Sequence, residues 1–321
     1  MTANPEAHRP AGGTGGQAAT IDPRSARLMR LATYASVSVA GLLICVKLAA
    51  WHTTDSVSLL STLIDSLLDA MASLVNLIAV RHALTPADSE HRFGHGKAEP
   101  LAALGQAAFI TGSALFLVFE AGHRLFDPPE IVHGELGIAV MVFAIVVTFV
   151  LTRFQAYVVK QTGSLAISAD SLHYFGDLLI NAAVILALLL AWRLGMTWAD
   201  PVFALAIAAY IVVTAVKIAR EALDMLMDRE LPDEERDRIK SIVGGHPDVL
   251  DLHDLRTRAS GPTLFIQLHL EMDGKMTLYR AHEVADAVEA ELQAAFPNAE
   301  ILIHQDPHGL EEEHAIPVTG R

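Results

Sequence analysis

Residues 57–83 read VSLLSTLIDSLLDAMASLVNLIAVRHA, an apolar stretch that contains two carboxylates, Asp65 and Asp69. A helix of about 20 apolar residues crosses a hydrocarbon layer of about 30 Å, and this stretch is long enough to do so. An ionised carboxylate is costly in such a layer unless it is paired, protonated or bound to a cation. The stretch therefore predicts a membrane-spanning helix whose polar face lines the interior of a helix bundle.

Five further apolar runs resemble this one in length. The chain has 321 residues, 52% of them apolar, and a mean hydropathy of +0.37. The apolar excess lies before about residue 226, and runs of this length are typical of membrane spans. The six predicted transmembrane helices are 28–50, 57–83, 100–126, 135–160, 168–192 and 199–225.

The sequence changes character at Asp228, where a water-soluble composition begins. A helix is predicted from Pro232 to about Val243, because proline and the acidic residues after it suit a first helical turn. The pattern then predicts strands at 250–258 and 263–272, a helix at 277–295 and a strand at 299–305. The predicted fold is an α-helical membrane protein with six transmembrane helices and a C-terminal α+β domain of αββαβ order.

Composition divides the chain into four predicted regions. They are a disordered N-terminal leader (1–27), the transmembrane domain (28–227), the C-terminal domain (228–307) and an acidic tail (308–321). Residues 228–321 hold 20 acidic and 9 basic side chains, which argues against nucleic acid as a partner and favours cations. The single cysteine, Cys45, excludes internal disulfides and Cys-rich zinc sites, so histidine and carboxylate are the available metal ligands.

Lys and Arg residues flank the predicted spans asymmetrically. They cluster before the first span, between the second and third, and after the fourth and sixth, whereas the opposite loops hold only Arg124 and Arg193. The positive-inside rule therefore predicts that both termini are cytoplasmic. Lys47, inside the first span, is expected to extend its side chain to the membrane interface.

Two spans carry matched pairs of candidate metal ligands. Asp65 and Asp69 in the second span, and His173 and Asp177 in the fifth, are each four residues apart, so each pair lies on one helix face. If the two faces meet, three carboxylates and one imidazole surround a divalent ion, for which zinc is the first choice. Metal and protons compete for such ligands, which gives a hypothesis of metal/proton exchange. The alternative is that these side chains form structural hydrogen bonds between helices.

Further candidate ligands lie outside the spans. Asp88, His91 and His95 lie within one stretch of eight residues (88–95) in the loop after the second span, and they form either a metal site or an ordinary solvated turn. In the C-terminal domain the strands and helix carry a second group, which suggests a two-metal site or a set of separate surface histidines. The members of this group are His253, His269, His282, His304 and Asp306.

Six segments carry a resemblance to a known family. They are LIDSLLD (63–69), Asp88 with FGHGKAE (93–99), DSLHYFGD (170–177), LPDEE (231–235), HDLRTR (253–258) and HQDP (304–307). On these segments, from about residue 30 to 307, the chain resembles the bacterial cation diffusion facilitators, particularly the zinc/proton antiporters of the ferrous-iron-efflux subgroup. The resemblance implies a homodimer in a lipid bilayer, with a metallochaperone-like cytoplasmic domain, that alternates between inward- and outward-facing states.

The resemblance also implies roles for individual residues. The implied transport site is Asp65, Asp69, His173 and Asp177, and the implied loop site is Asp88, His91 and His95. The implied binuclear cytoplasmic site is His253, His269, His282, His304 and Asp306, with Gln305 nearby. Lys97 and Asp228 match an interlocking salt bridge near the membrane surface of the dimer, and Leu172 matches a residue implicated in closing the path.

The expected function is efflux of Zn²⁺, and also of Cd²⁺, across the bacterial inner membrane in exchange for protons. Fe²⁺ or Mn²⁺ as the main substrate is an alternative, as is a membrane-anchored metal sensor that transports nothing. Ligands within the spans disfavour the sensor. An intramembrane metalloenzyme is disfavoured because the sequence has no His-Glu-x-x-His pattern.

Overall fold

The computed structural model describes residues 21–54, 57–126, 135–194, 196 and 198–309. The first 20 residues of the predicted leader and the tail from residue 310 lie outside this part. The long helices are α1 (Pro23–Thr54), α2 (Val57–Ala83), α3 (Ala98–Phe126), α4 (Glu135–Thr162), α5 (Leu165–Leu194) and α6 (Ala199–Leu226). The C-terminal elements are α7 (Asp233–Gly244), β1 (Asp251–Ser260), β2 (Thr263–Met272), α8 (Leu278–Ala295) and β3 (Ala299–Pro307).

The predicted fold class is confirmed: a helical transmembrane domain precedes a C-terminal domain with a small sheet, and the αββαβ order is the predicted one. Among the described residues, α1, α2, α3, α4 and α6 are long and apolar enough to cross a membrane. The predicted span in α5 is a helix but is not one of these five candidates. Its first half carries Asp170, His173 and Asp177.

The first helix begins at Pro23, five residues before the predicted start of the first span. Asp22 explains the difference, because its carboxylate accepts hydrogen bonds from the backbone N–H groups of Arg24 and Ser25 and from the Ser25 hydroxyl. Proline suits the first helical position, since its missing N–H would have no partner there. The hydrogen bond from the Ser25 hydroxyl lowers the pKa of Asp22. The predicted domain boundaries stay predictions.

Small residues form the core of the helical unit. A buried apolar cluster joins α3, α5 and α6, and alanine recurs at the positions where these helices approach one another. Small side chains allow membrane helices to pack closely through van der Waals contact. The alanines of this cluster are Ala103, Ala107, Ala114, Ala169, Ala208, Ala215 and Ala222.

The C-terminal unit is a three-stranded sheet of order β1-β2-β3 that is covered on one face by α7 and α8. Alternate residues of β2 from Ile266 to Met272 pack on Ile239 and Val243 of α7 and on Val284 and Val288 of α8. Because side chains alternate along a strand, the residues between them face the other side of the sheet. That second face carries His269 and Glu271.

The parallel pairing of β2 with β3 extends this division to the last strand. His269 pairs with His304 and Glu271 pairs with Asp306, whereas Leu270 of the helix-covered face pairs with Gln305. Neighbouring strand residues in register share a face of the sheet. His304 and Asp306 therefore lie on the open face with His269, and Gln305 lies on the helix-covered face.

Candidate metal sites

Helices α2 and α5 bring together three of the four predicted intramembrane ligands. One oxygen from each of Asp69 and Asp177 and one imidazole nitrogen of His173 all lie within 4.8 Å of one another. His173 Nε2 is 3.0 Å from Asp69 Oδ1. Two carboxylates and an imidazole at this spacing match the ligand set of a tetrahedral divalent ion that takes a further oxygen ligand.

Asp65 lies one turn before Asp69 on α2 but is not a member of the group. Its side chain is exposed, whereas Asp69 is partly buried and His173 is buried. The i, i+4 spacing thus places Asp65 on the correct face without bringing it to the other three ligands. Its role as a fourth ligand stays a prediction.

Aromatic and apolar side chains enclose His173. The ring of Phe109 on α3 meets the imidazole edge-on at a centroid distance of 5.9 Å, and the Tyr174 ring lies 5.5 Å away. Leu172 is buried in the alanine-rich cluster of α3, α5 and α6. The two ring contacts hold the imidazole in place.

Asp170, one turn before His173, is a buried carboxylate that the sequence reasoning assigned to no site. It accepts hydrogen bonds from Ser36 Oγ (2.6 Å), Gln106 Nε2 (3.1 Å) and Gln155 Nε2 (2.7 Å), which lie on α1, α3 and α4. Ser73 Oγ of α2 also lies within hydrogen-bond distance of the carboxylate, 3.4 Å from Asp170 Oδ1. One side chain on α5 thus connects all four of the helices before it.

Lys47 joins α1 to α2 through its side chain. Its ammonium group donates to the carbonyl of Thr62 (3.0 Å) and to Ser66 Oγ (2.6 Å), and its expected extension to the membrane interface stays a prediction. Ser66 directly follows Asp65 in the sequence. A backbone carbonyl and a hydroxyl of α2 thus satisfy two of the N–H groups of the ammonium.

The loop after α2 gathers its three predicted ligands. Asp88 lies 3.4 Å from His91 Nδ1 and 3.3 Å from His95 Nε2, and one ligand atom of each residue falls within 4.8 Å of the others. The Asp88 carboxylate accepts hydrogen bonds from the backbone N–H groups of His91 and Glu90. The bond from His91 contributes most to lowering the pKa of Asp88, so the carboxylate stays ionised and ready to bind a cation.

His82 was assigned to no site from the sequence, but its ring lies 4.4 Å from the ring of His95. It belongs to the last turn of α2, directly before the loop. The predicted end of the second span at residue 83 could have identified His82, because a residue in the last turn of a helix lies close to the loop that follows. His82 therefore extends the loop cluster to three histidines and one carboxylate.

The open face of the C-terminal sheet holds the third cluster. His253, His269 and Asp306 each place one ligand atom within 4.8 Å of the others. Asp306 is the central residue: its Oδ2 is 2.8 Å from His269 Nδ1 and 3.4 Å from His253 Nε2, and its Oδ1 is 3.1 Å from His304 Nε2. The Asp306 side chain is 8% exposed, whereas that of His304 is 60% exposed.

A distortion in β1 positions His253 in this cluster. The next residue, Asp254, has a φ of 47°, in the left-handed region that non-glycine residues rarely adopt. Leu252 and Leu255 both pack on the helix-covered core although they are three residues apart. The strand thus departs from strict alternation directly beside the histidine.

His282 and Gln305 lie apart from these four residues within this chain. Together with Leu278 and Tyr279, they line a shallow surface pocket. His282 is exposed on α8 and lies 3.6 Å from Asp286, one turn further on. Gln305 is on the helix-covered face because strand register places it opposite to its neighbours. The structure therefore divides the predicted binuclear set into two groups.

Lys97 and Asp228 meet within the helical unit. Lys97 Nζ is 2.9 Å from Asp228 Oδ1 and 3.3 Å from the carbonyl of Leu226, at the end of α6. Asp228 has a φ of 57° directly after that helix. Both side chains are about two-fifths exposed, so the pair is screened by solvent.

Two family models match the chain. The transmembrane domain of cation efflux proteins matches residues 33–227, and the cytoplasmic domain of cation efflux proteins matches residues 231–308. Together the two models cover most of the sequence, including the three clusters described above.

Curated relatives match over nearly their whole length. The cation-efflux pump FieF of Serratia proteamaculans (strain 568) is 50% identical over 287 residues, which cover 89% of this chain and 95% of the relative. The cation-efflux pump FieF of Yersinia enterocolitica (serotype O:8 / biotype 1B) is 50% identical over 297 residues, which cover 92% and 99%. Among solved structures, CzrB in its Zn form is 36% identical and covers 26% of this chain and 98% of its own, with a TM-score of 0.25.

Proposed function

Because the chain belongs to the cation efflux family, also called the cation diffusion facilitators, we propose that it exports Zn²⁺ from the cytoplasm in exchange for protons. Family membership makes it a multi-pass membrane pump for divalent metal cations. The choice of zinc, the coupling to protons, the homodimer and the bacterial inner membrane are the parts that we propose.

One observation supports the ion site above all. Asp69 of α2 and His173 and Asp177 of α5 converge from two helices that are far apart in sequence, with ligand atoms within 4.8 Å. Ionisable groups inside a membrane bundle are costly, and such a group is a functional site by default. We place the transported ion between these three side chains, with Asp65 as a fourth ligand that joins when the ion is bound.

The ligand chemistry favours zinc over the alternatives. An imidazole beside carboxylates suits a cation of borderline softness, and Zn²⁺ accepts four such ligands in a tetrahedron. Cd²⁺ fits the same reasoning, whereas Fe²⁺ and Mn²⁺ remain the alternative substrates because affinity order alone does not fix selectivity.

Proton exchange follows from the same ligands. A carboxylate or imidazole must lose its proton to bind a metal ion, so protons that arrive from the outer side displace the ion. Alternating access then carries the protons inward and the metal outward. The asymmetry of Lys and Arg residues supports cytoplasmic termini, and the similarity to cation-efflux pumps supports export from the cytoplasm.

We propose that the C-terminal domain senses metal. His253, His269, His304 and Asp306 would bind the ion, and binding would draw the two C-terminal domains of a homodimer together. The family of the second matching model is a dimerisation domain, which supports this arrangement. The acidic charge of this part of the chain opposes its approach to a second copy until metal is bound. We expect the double variant His253→Ala, His304→Ala to lose zinc-dependent closure, measured by the distance between two labels on the C-terminal domains.

The decisive experiment measures ion flux into proteoliposomes with an imposed pH gradient. Zn²⁺, Cd²⁺, Fe²⁺ and Mn²⁺ are compared for the wild type, Asp69→Ala and the matched control Leu68→Ala, whose side chain is exposed on the same helix. We expect Zn²⁺ flux that depends on the gradient in the wild type and in the control, and none in Asp69→Ala. Undiminished flux in Asp69→Ala would overturn the ion site, and flux that ignores the pH gradient would overturn the exchange.

A further inference from the structure

We propose that Lys47 is a tethered cation that matches the charge of the membrane site to a divalent ion. This inference rests on the proposed transport site. The Lys47 ammonium donates to the Thr62 carbonyl and to Ser66 Oγ, and these α2 residues lie on either side of Asp65. Ser66 is also one helical turn before Asp69, so the contact falls between the two carboxylates of that helix.

The hydrogen-bond partners of Lys47 carry no charge of their own. A carbonyl and a hydroxyl satisfy two of the three N–H groups of an ammonium but leave its positive charge uncompensated. Compensation comes from the carboxylates of the proposed site: Asp65 and Asp69 lie one residue before and three residues after Ser66 on α2, and Asp177 joins Asp69 in the ligand group. An amine inside a membrane span is costly without such compensation, so the carboxylates and Lys47 stabilise one another.

A charge count gives Lys47 its function. Three ionised carboxylates and a neutral His173 carry three negative charges, and Lys47 reduces this to two, which one divalent cation neutralises. Without Lys47 the loaded site would keep one excess negative charge and would hold the cation more tightly. Asp170, also nearby on α5, is satisfied by its own four hydroxyl and amide donors, so we treat its charge as the same in the loaded and empty site.

The alternative role for Lys47 is to tie α1 to α2 through hydrogen bonds alone. The two roles predict opposite changes in affinity. Loss of a structural tie would loosen the site and weaken binding, whereas loss of a positive charge beside the ion would strengthen binding and slow release. A neutral residue that can still donate to Ser66 therefore separates them.

The test compares Lys47→Gln, Lys47→Met and the charge-conserving control Lys47→Arg in the Zn²⁺ flux assay, with KM and maximal rate determined separately. We expect both neutral variants to lower KM on the order of tenfold, as removal of one nearby charge implies, and to lower the maximal rate as well. Lys47→Arg should stay close to the wild type in both constants.

An unchanged or raised KM in Lys47→Gln would overturn the proposal, and so would an Arg variant that behaves like the neutral ones. Lys47→Gln keeps an amide donor toward Ser66, so its KM decides the question if Lys47→Met fails to fold. Asp69→Ala is measured in parallel. If it retains flux, the transport site itself is wrong, whereas loss of flux there with no shift in Lys47→Gln rejects only the role of Lys47.

Discussion

The membrane cluster of Asp69, His173 and Asp177 lies between two long helices, whereas the cluster of His253, His269 and Asp306 lies on a strand face. The side chain of His173 is 8% exposed, but those of His253 and His269 are 26% and 28% exposed. The strand cluster also has a spare histidine, His304, within reach of its central carboxylate. Within the part of the chain that the structure describes, the membrane cluster has no additional ligand of this kind, so we expect the loss of one of its ligands to cost more than the loss of one ligand from the strand cluster.

The sharpest test of this contrast is Asp177→Asn, which keeps the shape of the side chain and removes its charge. We expect Zn²⁺ flux in proteoliposomes to fall at least about 100-fold, because an intramembrane ligand set of three loses a charged member. Asp65→Asn should cost less, since Asp65 lies outside the three-residue group. Equal losses in the two variants would show that the ion site is arranged differently.

Asp170→Ala should destabilise the helical unit by about 2 kcal/mol, because it leaves buried donors on four helices without their shared acceptor. Thermal unfolding in detergent measures the effect. Glu221→Ala, which removes an exposed carboxylate from α6, is the comparison. Unaltered stability of Asp170→Ala would mean that its hydrogen bonds contribute nothing net to the bundle.

Asp306→Ala should weaken metal binding at the strand cluster by about tenfold or more, since this carboxylate contacts all three histidines. Calorimetry on the full chain in an Asp69→Ala background isolates the effect from the membrane cluster. Zn²⁺ flux at saturating metal should change by less than about threefold in Asp306→Ala alone. The proposed role of the strand cluster is to sense metal, and it supplies no ligand to the transported ion in the membrane. Abolished flux would place the strand cluster on the transport path.

His304→Ala should give the smallest effect, a loss of about threefold in the same calorimetric affinity, because an exposed side chain contributes little. His269→Ala is its matched comparison, with a shorter contact to Asp306 and a less exposed ring. If His304→Ala proved as costly as His269→Ala, the two histidines would have to serve as equal ligands.

The sequence was sufficient for features that repeat along one element. The i, i+4 spacing of His173 and Asp177 defines a helix face wherever the helix lies, and the αββαβ order follows from local patterns. The prediction that α2 approaches α5 rested on the family resemblance and on the cost of an unpaired charge within a membrane span. These signals do not depend on the exact packing of side chains.

Hydrogen-bond partners that lie far apart in the chain could not be predicted from the sequence. Nothing near Asp170 indicates that its donors come from Ser36, Gln106 and Gln155, and nothing near Lys47 indicates Thr62 and Ser66 as its acceptors. Both depend on how neighbouring helices are rotated. Helix rotation is set by the whole packed interface, which a local pattern does not specify.

The register of β3 determines which of its residues face the metal cluster. His304, Gln305 and Asp306 are consecutive, and successive members project to opposite sides of the sheet. Insertion or deletion of one residue before them would exchange the amide for the imidazole and carboxylate without altering composition. A descendant could thus lose or relocate a cation-binding surface in one genetic event, while its hydrophobic content and length stay almost the same.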